Sequence, residues 1–456
     1  MDADTFRRLG HRLVDQVATL LEGIPHGPVT RDASPSAVRA ALALHGPLPE
    51  AGAESGALLE RTAQLLFEHS LFNGHPRFFV GAWTLAPAAT EIEAQTVRWI
   101  ADLIGYPSQC GGLLASGGNM ANVICFMAAR TANAGWDVRA QGLSGPTARR
   151  LRVYASTETH TWLQKAADLS GLGTDAIRWI PTDRHLRMDV AALRRQLDAD
   201  VAAGDRPCLV VGTAGSVSTG AVEPLPHIAA VCQEYGVWFH VDGAYGGFAA
   251  AVPEASDDLR VLSVTDSVAV DPHKWLYAPL EAGCALVRDP ERLRAAFAYH
   301  PPYYHFDEQA TNHVDFGPQN SRGFRALKVW LALQQAGAAG YRAMIGDDIR
   351  LARMMADAVA REPELQLTSQ ALSITTFRYV PHRLAGGGRH RTRGAGAGRA
   401  QPRPPRQAAA RGRSLRVERR HRRPLRAARL HRELPHRSAR RRGRARDRGP
   451  ARPAAA

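Results

Sequence analysis

Apolar positions divide the chain into stretches of different character. Near the N-terminus, Phe6, Leu9, Leu13, Val17, Leu20 and Leu21 recur at helical spacing within MDADTFRRLGHRLVDQVATLLEG, which predicts an amphipathic helix. Helical patterns broken by Pro and Gly continue to about residue 75. From about residue 90 to 380, short apolar runs alternate with helical ones. LRVYAST (151–157), CLVVGTAG (208–215), VWFHVDGAY (237–245), SVAVDPH (267–273) and GCALVRD (283–289) are β-rich and read as buried strands. Helical patterns at 188–203 and 224–235 lie between them. This alternation predicts an α/β fold around a mostly parallel sheet. RGFRALKVWLALQQAG (322–337) predicts a long helix leading to a smaller C-terminal unit. The expected organisation is a helical segment over 1–80, a large domain over 81–330, an incomplete small domain over 331–385 and a tail over 386–456.

Composition changes the picture mainly at the tail. The chain has 456 residues, 45% of them hydrophobic, enough for a sizeable core. No apolar run approaches the length of a membrane span, and the charged N-terminus lacks a signal-peptide core. Five scattered cysteines in apolar runs predict buried thiols in a cytoplasmic protein, not a disulfide framework. The net charge of +15 is unevenly placed. Residues 386–456 hold 24 of the 58 basic residues and 3 of the 43 acidic ones, so they carry +21 and the rest carries −6. This tail has no Phe, Ile, Trp, Tyr or Met, cannot build a core and is expected to be disordered. One reading is an arm that binds nucleic acid nonspecifically. The preferred reading is a GC-rich gene translated out of frame. The codons of VERRHRRPLRAARLHRELPHR (417–437), read one nucleotide later, permit SNGVIDGRYALRACIVNFHT, which is strand-like.

Ligands of parallel sheets sit beyond the carboxyl ends of the strands, so the polar residues closing each run are the candidates for chemistry. In VAVDPHKWLYAP (268–279), Lys274 follows a buried strand and Asp-Pro-His. It must either pair with an acid or serve as a free amine. LLASGGNMANVICFMAAR (113–130) opens a helix on a Ser-Gly-Gly-Asn turn, which is an anion site or an ordinary cap. His160, in TETHTWLQ, closes a strand and has a plain structural reading too. Asp242, in FHVDGAYGGFA, ends an apolar strand and needs a cationic or N–H partner. As a set these fit one cofactor, pyridoxal 5′-phosphate (PLP). Lys274 would meet the aldehyde, Asp242 the pyridine nitrogen, His160 the ring face and the 116–119 turn the phosphate.

HVDGAYGG followed some thirty residues on by DPHKWLYAP resembles the group II PLP-dependent decarboxylases, the aromatic-L-amino-acid and glutamate decarboxylase group. ASGGNMAN, GTAGSVSTGAVEPL (212–225), HPRFFVGAW (75–83) and SRGFRALKVW (321–330) are similar to its other signatures, and the likeness extends to about Pro381. The out-of-frame string also resembles the family's C-terminal strand. The resemblance implies PLP fold type I, a homodimer with the active site at its interface, and decarboxylation of an L-amino acid through a Schiff base and a quinonoid. It implies that Lys274 forms the Schiff base, Asp242 pairs with the ring nitrogen and His160 stacks on the ring. Gly118 and Asn119 would bind phosphate with His273 nearby, Thr213 and Ser216 would lie on a cofactor-contacting turn, and Phe79, Trp83 and Thr84 would line the substrate pocket. The family's proton donor is a tyrosine on the loop before the 321–330 signature. FDEQATNHVDFGPQN (306–320) has none; it holds Phe316, with Tyr303 and Tyr304 upstream. Tyrosine replaced by phenylalanine there goes with oxidative deamination to an aldehyde, so aldehyde formation and transamination stay open beside decarboxylation. A rival from another class is a metallohydrolase using His240, Asp242, Asp271 and His273, a reading that leaves Lys274 unexplained.

Overall fold

The computed structural model describes residues 1–23, 26, 34–42, 46–69, 86–301 and 311–381. Among these, seven strands form one sheet: β1 (Gly111–Ala115), β2 (Leu151–Ser156), β3 (Ile177–Ile180), β4 (Arg206–Thr213), β5 (Trp238–Asp242), β6 (Ser267–Val270) and β7 (Gly283–Val287). Their spatial order is β1-β7-β6-β5-β4-β2-β3. β2 to β6 pair in parallel, and β7 runs antiparallel to both β6 and β1. Six strands therefore share one direction, and their carboxyl ends gather at one edge of the sheet, as the alternating pattern predicts. The five predicted runs all form strands, several shorter than expected: the one at 237–245 closes at Asp242 and the one at 267–273 at Val270. β1 and β3 add to them.

Both faces of the sheet are buried because neighbouring strand residues point opposite ways. Val210, Phe239, Val241, Val268, Val270, Cys284 and Leu286 pack on one side with the helices Pro87–Ile104, Val190–Ala202 and Leu225–Tyr235. Leu209, Val211, Trp238, Ala269, Ala285 and Val287 pack on the other with Gly118–Asn133, Trp162–Leu169 and Pro290–Phe297. The result is helix–sheet–helix layering, the reason these strands read as continuous apolar runs. All five cysteines are free, and four are buried. Burial pushes the thiols of Cys125 and Cys208 up to about 12, so they stay protonated.

Toward the C-terminus, a helix spans Ala326–Arg361, with a non-helical Gly337 at φ 67° inside it. It passes straight through residue 330. A two-stranded sheet follows, β8 (Leu365–Ala371) paired antiparallel with β9 (Ile374–Tyr379). The predicted N-terminal helix forms over Ala3–Gly23. Its Leu9, Leu13 and Leu20 are half-buried, while Phe6, Val14, Val17 and Leu21 are exposed. Among the described residues no helix is long and apolar enough to cross a membrane. The arginine-rich tail, Phe79, Trp83, Thr84, Tyr303 and Tyr304 lie outside the described residues.

Candidate active site

A cavity of about 140 Å³ opens at the carboxyl edge of the sheet. Gly118, Asn119, His160, Thr213, Asp242 and Lys274 all line it. Six residues singled out from five sequence stretches are thus brought to one place, because β1, β2, β4, β5 and β6 all end at this edge of the sheet. Lys274 stands on the short helix Pro272–Trp275 that follows β6. Its Nζ lies 2.9 Å from Asp271 Oδ2, and its side chain is 39% exposed. Of the two fates open to this lysine, pairing with an acid is the one observed. The strand before it is fully buried, but the side chain itself reaches into an open cavity.

Asp242 closes β5 and is 6% exposed. The N–H partner that its burial demands comes from Trp162, whose Nε1 donates to Asp242 Oδ2 at 2.7 Å. The backbone N–H of Ala244 donates to Oδ1 at 3.1 Å. Trp162 is fully buried, and its ring meets His240 edge-on at 5.7 Å. Two residues earlier on β5, His240 has both ring nitrogens engaged, Nδ1 with Ser267 Oγ at 2.9 Å and Nε2 with Asn122 Oδ1 at 2.7 Å. Burial pushes this imidazole down to about 4, so it is neutral. With both nitrogens occupied, His240 has no lone pair left for the metal set considered above. Among the described residues no group of three or more His, Cys, Asp or Glu side chains is placed to hold a metal.

The turn after β1 leads into Gly118–Asn133, whose first turn has no side-chain cap. A Cβ on Gly118 would fall 2.6 Å from Asp271 Oδ2 and 2.8 Å from the Ala244 methyl, so only glycine fits. Gly117 sits at φ 102°, a left-handed conformation that also favours glycine. His273 is half-buried beside this turn, with Nδ1 2.6 Å from the Ala282 carbonyl oxygen and Nε2 3.7 Å from Asp271 Oδ2. Ser216 is buried just behind the wall, its Oγ 2.8 Å from Thr219 Oγ1. His160 is exposed at the rim and accepts the Trp162 backbone N–H on Nδ1 at 3.2 Å.

An amine, a buried carboxylate, an imidazole and an uncapped helix start around one small cavity match the functional groups of PLP. Two orphaned polar atoms at the site, Thr213 Oγ1 and Asp271 Oδ1, await partners that a polar ligand would supply. The Pyridoxal-dependent decarboxylase conserved domain matches residues 78–380. The chain belongs to the pyridoxal-dependent decarboxylase family. It is 31% identical over 414 residues to an aromatic-L-amino-acid decarboxylase of Bacillus atrophaeus, covering 84% of each chain. It is 30% identical over 409 residues to a phenylacetaldehyde synthase of Petunia hybrida, covering 83% of this chain and 80% of that one. A crystal structure of Oryza sativa TDC with PLP and tryptamine superposes with a TM-score of 0.61 at 27% identity, covering 83% of this chain and 84% of that one. PLP is the cofactor of this decarboxylase, and its fold is that of the PLP enzymes it matches.

Residues not singled out from the sequence, most of them inside the quoted stretches, also shape the site. Trp162 and Asn122 hold the β5 end, and Tyr245 and Ile374 complete the cavity wall. Glu223 backs Thr213, accepting its backbone N–H on Oε2 at 2.9 Å. Asp271 had appeared only as part of the metal reading; its spacing of three residues from Lys274 on a helical turn was the available signal. Phe316 is buried at 5% exposure, with the Arg294 guanidinium 5.4 Å from its ring and His313 packed edge-on at 6.0 Å. It does not line the cavity.

Proposed function

We propose that this decarboxylase removes CO₂ from an aromatic L-amino acid, with Lys274, Asp242 and His160 as the residues that touch the cofactor ring. The observation that carries this reading is the convergence of Lys274, Asp242, His160 and Gly118 on one cavity. PLP, when bound, supplies an aldehyde for an amine and a ring that accepts the electron pair left by departing CO₂. The chain's own share follows from its geometry. Asp242, oriented by the N–H groups of Trp162 and Ala244, would face the ring nitrogen and hold a proton there. Lys274 would supply the amine that holds the cofactor aldehyde. His160, at the cavity rim, would cover the ring face and exclude water from it. Gly118 and Asn119 offer backbone N–H groups at a helix start to the phosphate, with His273 beside them. Thr213 and Ser216 shape the turn next to the ring.

An aromatic substrate is supported by the name of the Bacillus atrophaeus relative. The working unit is a homodimer, a reading supported by the exposed apolar face of the N-terminal helix, Phe6, Val14, Val17 and Leu21. A second reading, oxidative formation of an aldehyde, is favoured by the Petunia hybrida relative's name. One assay separates the two. The purified holoenzyme is given L-Trp, L-Tyr, L-Phe and L-Glu, and CO₂, amine, ammonia and peroxide are measured. Amine and CO₂ in equal amounts from an aromatic substrate are expected. Ammonia and peroxide in place of amine would favour the second reading, and no CO₂ from any substrate would defeat both. Lys274→Ala should abolish turnover and the visible absorbance of lysine-bound PLP.

A further inference from the structure

Asp271 lines the cofactor cavity but has no part in the chemistry described above. It is 2% exposed and caps nothing: its side chain accepts no backbone N–H from the helix Pro272–Trp275 that it precedes. Oδ2 faces Lys274 Nζ at 2.9 Å and His273 Nε2 at 3.7 Å. Oδ1 is buried with no hydrogen-bond partner. The carboxyl group presses directly on Gly118, where a Cβ would meet Oδ2 at 2.6 Å. A carboxylate therefore sits against the helix start assigned to the phosphate. The other titratable groups facing it are Asp242 from the end of β5 and the buried thiol of Cys284 on β7. Burial pushes the Asp271 carboxyl up, while Lys274 and His273 pull it back.

The two ligands of this corner make opposite demands. A phosphate dianion repels a carboxylate at contact distance but accepts a hydrogen bond from a carboxylic acid. Lys274 must shed a proton before its nitrogen lone pair can attack an aldehyde. We propose that Asp271 is a proton-holding positioning residue for cofactor capture: it pairs with the Lys274 ammonium beforehand, takes one proton from Nζ as the amine turns nucleophilic, and then presents an O–H to the phosphate. One proton moves from Nζ to Oδ2, the ion pair becomes a neutral pair, and nothing is oxidised or reduced. The inference rests on the PLP-site reading above and assigns a role within it.

The test uses pyridoxamine 5′-phosphate, which carries the phosphate but cannot condense with Lys274. Its Kd is measured by tryptophan fluorescence from pH 6 to pH 9 for wild type and Asp271→Asn, an isostere that keeps a donor and never ionises. Taking the ratio of the two Kd values cancels the titration of the phosphate itself. The ratio, wild type over variant, should lie within about twofold of one at pH 6 and rise roughly tenfold by pH 9. With pyridoxamine, which lacks the phosphate, it should stay flat. An infrared difference spectrum of wild type should show a carboxylic-acid C=O band appearing on binding, absent from the variant. A flat ratio with the phosphorylated probe, or no acid band in wild type, overturns the proposal. Failure of wild type to bind the probe at any pH would instead overturn the site reading. The infrared arm uses wild type first, so the proposal stays testable if Asp271→Asn folds poorly.

Discussion

Glu223 shows what a single buried carboxyl costs near this site. It is 1% exposed, its Oε2 is tied to the Thr213 N–H, and its Oε1 has no hydrogen-bond partner. Burial pushes it from 4.5 up to about 7, and the Asp242 charge acts in the same direction. Between those values the folded chain keeps a proton that the unfolded chain releases, so stability falls as pH rises through the window. The loss amounts to about 3 kcal/mol and is constant above it. Glu223→Gln keeps an acceptor for Thr213 and removes the titration. Its melting temperature should exceed that of wild type at pH 8 and match it near pH 4; parallel curves would show that Glu223 ionises freely. Glu223 and Trp162 could not be identified from sequence, since each matters only through what the fold sets beside it. Lys274, Asp242 and His160 were legible because each closes or follows a strand, and parallel strands deliver such residues to a common edge.

Elements were legible where burial on both faces leaves a continuous apolar run, as in β2, β4, β5, β6 and β7. β1 and β3 escaped because GGLLA contains two glycines and IRWI has only four residues. The glycines have a packing reason: a Cβ on Gly112 would fall 2.6 Å from the Ala285 carbonyl oxygen across the β1–β7 pair. The β8–β9 hairpin was also unforeseen, yet it bears on the site, because Ile374 at the start of β9 lines the cavity. Two contacts hold its turn down. Tyr245 and Ser373 share a hydrogen bond of 2.6 Å, and Gly220, at φ 76°, passes so close that a Cβ would overlap the Ala371 carbonyl. Gly220→Ala should therefore lift the hairpin, costing about 2 kcal/mol from backbone strain before the overlap is counted. Hydrogen exchange should show β8 and β9 amides losing protection while β4 and β5 keep theirs. Uniform loss across the sheet would mean that the hairpin is not a separate unit of stability.

At the scale of the whole molecule, the open question is what the chain after Pro381 contributes. A two-stranded sheet on its own is marginal, and β8 leaves Leu367 38% exposed. The arginine-rich segment 386–456, at +21, has no Phe, Ile, Trp, Tyr or Met, and its few Leu and Val residues are scattered among arginines, a poor pattern for extending that sheet or covering it. The string that its codons permit one nucleotide later, SNGVIDGRYALRACIVNFHT, is strand-like and carries the Ile, Phe and Tyr that the translated tail lacks. Two chains decide whether that string is the missing piece. Ending the protein at residue 385 should leave the melting temperature within about a degree of the full chain, and should abolish any salt-sensitive binding to DNA that the tail confers. Restoring the alternate frame should raise the melting temperature by at least a few degrees, since burying a third strand adds apolar contacts to an otherwise thin sheet. A large loss of stability on truncation would mean that the tail as translated is folded and structural. Resequencing that finds an intact frame with no compensating insertion or deletion nearby would remove the frameshift reading. The basic segment would then be a genuine part of a decarboxylase whose body is otherwise acidic, and its attraction to nucleic acid would call for its own explanation.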